Sequence, residues 1–248
     1  MSQAKALMTE GNVMTAGSME ESELLTRSNA VLLLVDHQIG LYTGVRDIDV
    51  LQLKHNVVGL TQAMLALKVP VIVTTTTEKM WGPLIPELAE ALPGVQGIER
   101  TTVNAWHEKR FVDAVKATGR KNLIVTGIST DVCLAFPAIA ALADGFQSYA
   151  VIDASAGFSQ TQVDMGILRM VQAGVIPVCY SNVAVEILAD NAAPEAEEST
   201  EHSACRSVPW FLVFGSTFHG RESTPEGEHT TDFRGVTSRP MRSHTIAA

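Results

Sequence analysis

Six short apolar runs separated by helical stripes predict an α/β fold, a single doubly wound domain with a six-stranded parallel sheet flanked by helices. Two further observations support that class. The runs at residues 30–35 and 70–73 lack the in–out alternation of a half-exposed strand, which marks strands covered on both faces. Polar or charged residues also follow several runs at once, as expected where a sheet opens a crevice beyond the carboxyl ends of its strands.

The first run, residues 30–35, closes on Asp36. Leu53, Val57, Leu60, Met64 and Leu67 then recur at helical spacing within 50–68. Pro70 to Val73, with four threonines behind it, reads as the second strand. Residues 83–92 read as a short helix stopped by Pro93 and Gly94, and 97–100 as a short third strand. Phe111, Val112 and Val115 share one face of a helix over 106–118, with Gly119 at its C-cap. The fourth strand, 122–126, leads through Gly127 into a helix over 130–143. A fifth strand over 147–152 ends on Asp153, and a helix over 160–173 precedes Gly174. The sixth strand covers 175–179 and the last helix 182–189.

The domain therefore occupies residues 29–191. Residues 1–28, rich in Met, Ser, Thr and Glu, read as a flexible extension with a short helix near 20–25. Residues 192–199 form an acidic linker. Residues 202–248 carry four of the seven histidines and a single apolar stretch at 208–214, too little to offset the entropy of ordering. A linker and largely disordered tail is expected over 192–248.

A formal charge of −9 without any Lys/Arg cluster argues against nucleic acid or an anionic membrane as partner. No apolar run approaches the length of a membrane span, and no basic-then-apolar leader pattern opens the chain. Three widely spaced cysteines form neither a disulfide framework nor a metal-binding pair. A cytoplasmic protein acting on a small molecule is expected. The Ala-rich helix over 135–143 suggests close packing between subunits of a homo-oligomer. Gly-x-Gly-x-x-Gly is absent after the first strand, so no nucleotide cofactor is implied.

At the crevice the candidate side chains are a thiol, a carboxylate and a guanidinium. Cys133 falls in the first turn of a predicted helix, where the macrodipole favours thiolate; a buried, inert thiol is the alternative. Asp36 either caps the turn after its strand or takes the thiol proton. Arg100 has no accessible neutral form, so it can only fix charge, and is expected to lower the pKa of Asp36 and Cys133 together. His37 adjoins Asp36, but neighbours at a strand end point to opposite sides, so a structural or subunit-facing role is expected. Thr130 and Asp131 are N-cap candidates. Trp81 and Trp106 either line an apolar pocket or pack in the core or against a subunit. Cys179 is expected in the core and Cys205 in the exposed tail.

Three segments resemble the isochorismatase-like cysteine hydrolase superfamily, over about residues 29–191. Val35-Asp36-His37-Gln38 resembles its first strand ending in a catalytic aspartate. Residues 127–133, from Gly127 through Thr130 to Cys133, resemble its glycine-x-x-threonine-x-x-cysteine nucleophile loop. Residues 100–106 resemble its lysine-x-x-x-serine-alanine-phenylalanine segment, with Arg100, Asn104 and Trp106 at the changed positions. Within the superfamily these features look most like the YcaC-type hydrolases.

The resemblance implies catalytic roles for Asp36, Arg100 and Cys133. It also implies a cis peptide at Ile128–Ser129, aiming the Ser129 amide with that of Cys133 at a developing oxyanion. Gln38, Asn104 and Trp106 become pocket candidates. Metal-dependent relatives, the nicotinamidases, carry a further histidine after the second strand, and residues 74–81 hold none, so no metal is implied. The implied activity is hydrolysis of a small amide, imide or nitrile-like compound through a thioester-type intermediate. A catalytically silent small-molecule binder in a stress-related assembly and a redox-sensing thiol protein are the alternatives from other classes.

Overall fold

The computed structural model describes residues 24–190 and 192–193, so the expectations for residues 1–23 and for the tail lie outside the described residues. The strands are β1 (Ala30–Val35), β2 (Val71–Thr76), β3 (Ile98–Arg100), β4 (Asn122–Gly127), β5 (Gln147–Val151) and β6 (Ile176–Val178). They form one sheet in the order β3-β2-β1-β4-β5-β6, and every pairing is parallel. Between them run the one-turn helix α1 (Ile39–Tyr42), then α2 (Val50–Ala66), the short α3 (Glu78–Trp81) and α4 (Pro86–Ala91). The second half adds α5 (Lys109–Ala117), α6 (Ala135–Ala143), α7 (Gln160–Ala173) and α8 (Tyr180–Leu188). Among the described residues no helix is long and apolar enough to cross a membrane.

The unbroken apolar run of β1 has a direct structural counterpart, since all six residues are buried. Leu32 and Leu34 face a layer containing α2, α4 and α8. Val31, Leu33 and Val35 face the opposite layer of α5, α6 and α7. Each fully buried aliphatic side chain contributes about 1.5–3 kcal/mol, which makes this central strand the anchor of both cores. Strand order reverses between β1 and β4, and that switch point opens the crevice at their carboxyl ends.

Several expectations are corrected. Leu25, assigned to the flexible extension, is buried in the first layer, and its N–H donates to Glu186 Oε1 at 2.7 Å. Packing therefore begins ahead of residue 29. The helix expected over 106–118 is split: Asn104 Oδ1 accepts the Trp106 N–H to start a 3-10 turn over Ala105–His107, and an extended Glu108 separates it from α5. The helix expected over 130–143 starts as a π-helical turn, Thr130–Leu134. Cys179 is exposed rather than a core strand residue, because the chain leaves β6 at Val178 and Cys179 becomes the extended N-cap of α8.

Candidate active site

Asp36 follows β1 with a left-handed φ of 59°, a conformation Asp tolerates better than most residues. Its N–H donates to the Thr74 carbonyl at 2.9 Å, tying the turn to β2. Arg100 ends β3, two strands from β1, roughly 10 Å away at ordinary strand spacing. Its long side chain crosses that gap, and Nη2 donates to Asp36 Oδ2 at 2.5 Å, with both side chains fully buried. Nη1 donates to the carbonyls of Thr102 and Val103, so the guanidinium is held from both ends. Asp36 Oδ1 is buried without a formed hydrogen bond and remains available as an acceptor.

Cys133 reaches the same spot from β4. In register, Val35 lies beside Gly127, so the residues after each strand are neighbours. The Ile128–Ser129 peptide is cis. Ser129 is extended, and the π-helical turn that follows carries Cys133 back over the strand end. Close packing fixes this path. A Cβ on Gly127 would lie 2.9 Å from the Cys133 carbonyl carbon, and one on Gly166 of α7 would lie 2.8 Å from Asp131 Cα. The loop is thus clamped between β4 and α7. Thr130 and Asp131 sit inside the turn, and neither side chain caps it.

The electrostatics correct another expectation. Burial raises the Asp36 pKa more than the Arg100 charge and the Cys133 thiol lower it. Burial also lifts the Cys133 thiol well above the ordinary cysteine value, helped by the Asp36 charge, while Arg100 and the Ser129 amide pull it down. Arg100 therefore moderates both shifts without reversing either, because desolvation of the charged forms is the larger effect.

Asp36, Ser129 and Cys133 border a cavity of about 230 Å³, with the Asp36 carboxyl buried behind its surface. Ile128 and Val132 border it from the cysteine loop. Leu41, Trp81 and Phe158 add apolar walls, and Thr76 and Val103 complete it. The other proposed pocket residues lie elsewhere. Gln38 is fully buried, donating to the Thr76 and Gly82 carbonyls and accepting from the Thr76 N–H, a brace between β1 and the α3 segment. Trp106 packs edge-on against Phe111 and Phe146 and donates to Asp144 Oδ2. Asn104 borders a separate surface depression of about 520 Å³, with His107, Phe136, Ile139 and Arg169. Asp153, also at a strand end, accepts the Tyr180 N–H and supports α8 instead.

His37 points away from the crevice. It is fully buried between Tyr42 Oη (3.0 Å) and Thr126 Oγ1 (2.8 Å), a structural role. Leu41, Thr76, Val103, Val132 and Phe158 were missed by sequence reasoning. Only Thr76 and Val132 carried a signal, one at the end of a strand and the other beside the cysteine. The rest come from turns that converge only in three dimensions.

A doubly wound parallel sheet with a carboxylate and a thiol gathered beyond its switch point resembles the isochorismatase-like class of α/β proteins, and here a guanidinium stands beside them. The Isochorismatase domain model matches residues 30–182, more than half of the chain, which therefore belongs to the isochorismatase family. Over 168 residues it is 42% identical to the Escherichia coli (strain K12) protein named Probable hydrolase YcaC, covering 67% of this chain and 81% of that one. The solved structure of YcaC from Pseudomonas aeruginosa, with hexane-2,5-diol and covalent acrylamide, superposes with a TM-score of 0.73 at 36% identity, covering 80% and 98% of the two chains. The Escherichia coli YcaC structure, described as an octameric hydrolase of unknown specificity, gives 0.72 at 36% identity over 79% and 96%.

Proposed function

We propose that this protein is a cysteine-dependent hydrolase of small amides, imides or nitrile-like compounds. The carrying observation is the buried Asp36–Arg100 pair beside the Cys133 thiol at the floor of one cavity. Proton transfer from Cys133 to Asp36 turns thiol plus carboxylate into thiolate plus carboxylic acid, and the net charge beside Arg100 is unchanged. A raised Asp36 pKa makes that carboxyl a better proton acceptor, which offsets the raised pKa of the thiol.

For an amide, the thiolate sulfur attacks the carbonyl carbon, and the C=O electron pair moves to oxygen, received by the amides of Ser129 and Cys133. The C–N bond then breaks, its electrons leave with nitrogen, and Asp36 returns the proton to the amine. Water next gives a proton to Asp36 and attacks the thioester. The C–S bond breaks, a carboxylic acid departs, and Asp36 reprotonates the sulfur. The sum is one water added across the C–N bond.

The covalent acrylamide in the Pseudomonas aeruginosa relative supports a reactive nucleophile in this group. The octamer described for the Escherichia coli relative supports assembly of this chain into a homo-oligomer. Ammonia release from a panel of small amides, compared between wild type and Cys133→Ala, tests the reading. Release by wild type alone is expected; equal rates in both proteins would remove Cys133 from the mechanism.

A further inference from the structure

The cavity has an unusual charge balance. Among its described lining residues Asp36 is the only charged side chain. Arg100, the nearest cation, is fully buried, committed to Asp36 and to the Thr102 and Val103 carbonyls, and does not line the cavity. An anionic substrate would lose its water next to a carboxylate and meet no cationic side chain among the described lining residues. A neutral carboxamide loses less on leaving water.

The walls point the same way. Trp81, Leu41, Ile128 and Val132 offer apolar surface, and about 230 Å³ is smaller than pockets that hold drug-sized ligands. Phe158 stands at the solvent side, 37% exposed, with its ring seated against Gly44. A Cβ on Gly44 would come within 2.8 Å of ring Cδ1 and 2.9 Å of Cε1, so the ring holds this position only because residue 44 is glycine.

We propose that the cavity selects neutral amides with a compact apolar acyl group and excludes anionic ones, with Phe158, positioned by Gly44, setting the acyl length. This rests on the hydrolase reading, because it names the substrate class of that same site.

Two measurements separate the inference from its foundation. The first labels the intact protein with iodoacetamide or iodoacetate, follows the Cys133 peptide by mass spectrometry, and normalises each rate to 2-mercaptoethanol. The neutral reagent should be favoured at Cys133 by at least about tenfold beyond its advantage on the free thiol. The second compares kcat/KM for straight-chain amides from acetamide to hexanamide with that for succinamic acid. Short neutral amides should be preferred over succinamate by a similar factor. Phe158→Ala should move the optimum to longer chains, and Gly44→Ala, which displaces the ring without removing it, should also change the length profile.

Amide turnover with succinamate as good a substrate, or with a length profile unmoved in both variants, overturns the inference and leaves the hydrolase reading standing. Absence of amide turnover together with the labelling bias overturns the hydrolase reading and leaves the charge selection standing. Equal normalised labelling by the two reagents overturns the charge selection directly.

Discussion

Arg100 Nη2 lies 2.5 Å from Asp36 Oδ2, and neither side chain has any exposed surface. The contact joins the end of edge strand β3 to the end of central strand β1 across β2. A buried pair of this kind loses water on both sides, and the attraction only partly compensates. The raised pKa of Asp36, with burial as the leading cause, is the visible residue of that imbalance.

Removing one partner should expose the cost. Arg100→Met leaves the Asp36 carboxyl buried without its counter-ion, and destabilisation of about 3–5 kcal/mol is expected. Arg100→Lys keeps a cation but cannot span Asp36 and the Thr102 and Val103 carbonyls together, so a loss of about 1–3 kcal/mol is expected. Urea denaturation of the three proteins at pH 7 measures both. A methionine variant as stable as wild type would mean the pair contributes nothing to the fold.

Asp36→Asn should separate thiol ionisation from catalysis. After burial, the Asp36 charge is the main influence holding the Cys133 thiol up, whereas Arg100 pulls it down. Without the carboxylate the thiol pKa falls, so the pH midpoint for iodoacetamide labelling of Cys133 moves to lower pH. Hydrolysis should nevertheless be lost, since the asparagine amide cannot take the proton. A labelling midpoint that rises in the variant would contradict the electrostatic account.

The fold was legible because β1 is an unbroken apolar run followed by Asp36, and the apolar centre of β4, Leu123 to Val125, leads into Gly127. His37 was expected on the opposite side from Asp36, and it is the left-handed turn at Asp36 with the Tyr42 and Thr126 contacts that holds it there. What stayed hidden depended on partners distant in sequence. Leu25 is buried by contact with the layer that holds α8, which begins 155 residues later. Trp106 and Phe158 are both aromatics in loops, and only tertiary packing sends the first into the core and the second to the cavity. The pKa directions were misjudged for a similar reason, since charge signs can be read from sequence and desolvation cannot.

His37 should give the fold an acid-sensitive step. Burial lowers its pKa from 6.5 to about 3, so the folded protein holds the ring neutral where the unfolded chain protonates it. Between those values the unfolded state binds more protons, and stability falls as pH drops. The contribution is complete above about pH 6.5 and declines towards pH 3, by an amount on the order of 5 kcal/mol at most. Urea midpoints at pH 7, 6, 5 and 4 should show this slope, and His37→Gln should flatten it. An unchanged slope in the variant would assign the effect to other groups.

Two glycines distinguish a clash from a strained backbone. Gly127 does not have positive φ, so alanine is acceptable to its own backbone; the obstacle is the Cys133 carbonyl carbon and the Leu134 nitrogen, each 2.9 Å from the new Cβ. Those are main-chain atoms and cannot swing aside, so the π-helical turn must move and take Cys133 from Asp36. Gly127→Ala should cost about 1–3 kcal/mol and shift the pH profile of Cys133 labelling. Gly119 is the contrasting case, with φ of 69° and nothing within 4 Å of its Cβ position. Gly119→Ala should cost about 1–2 kcal/mol through left-handed strain alone and leave the Cys133 profile untouched. If both variants lose similar stability yet only Gly127→Ala alters the thiol, the position of Cys133 depends on close packing against β4 and not on general stability.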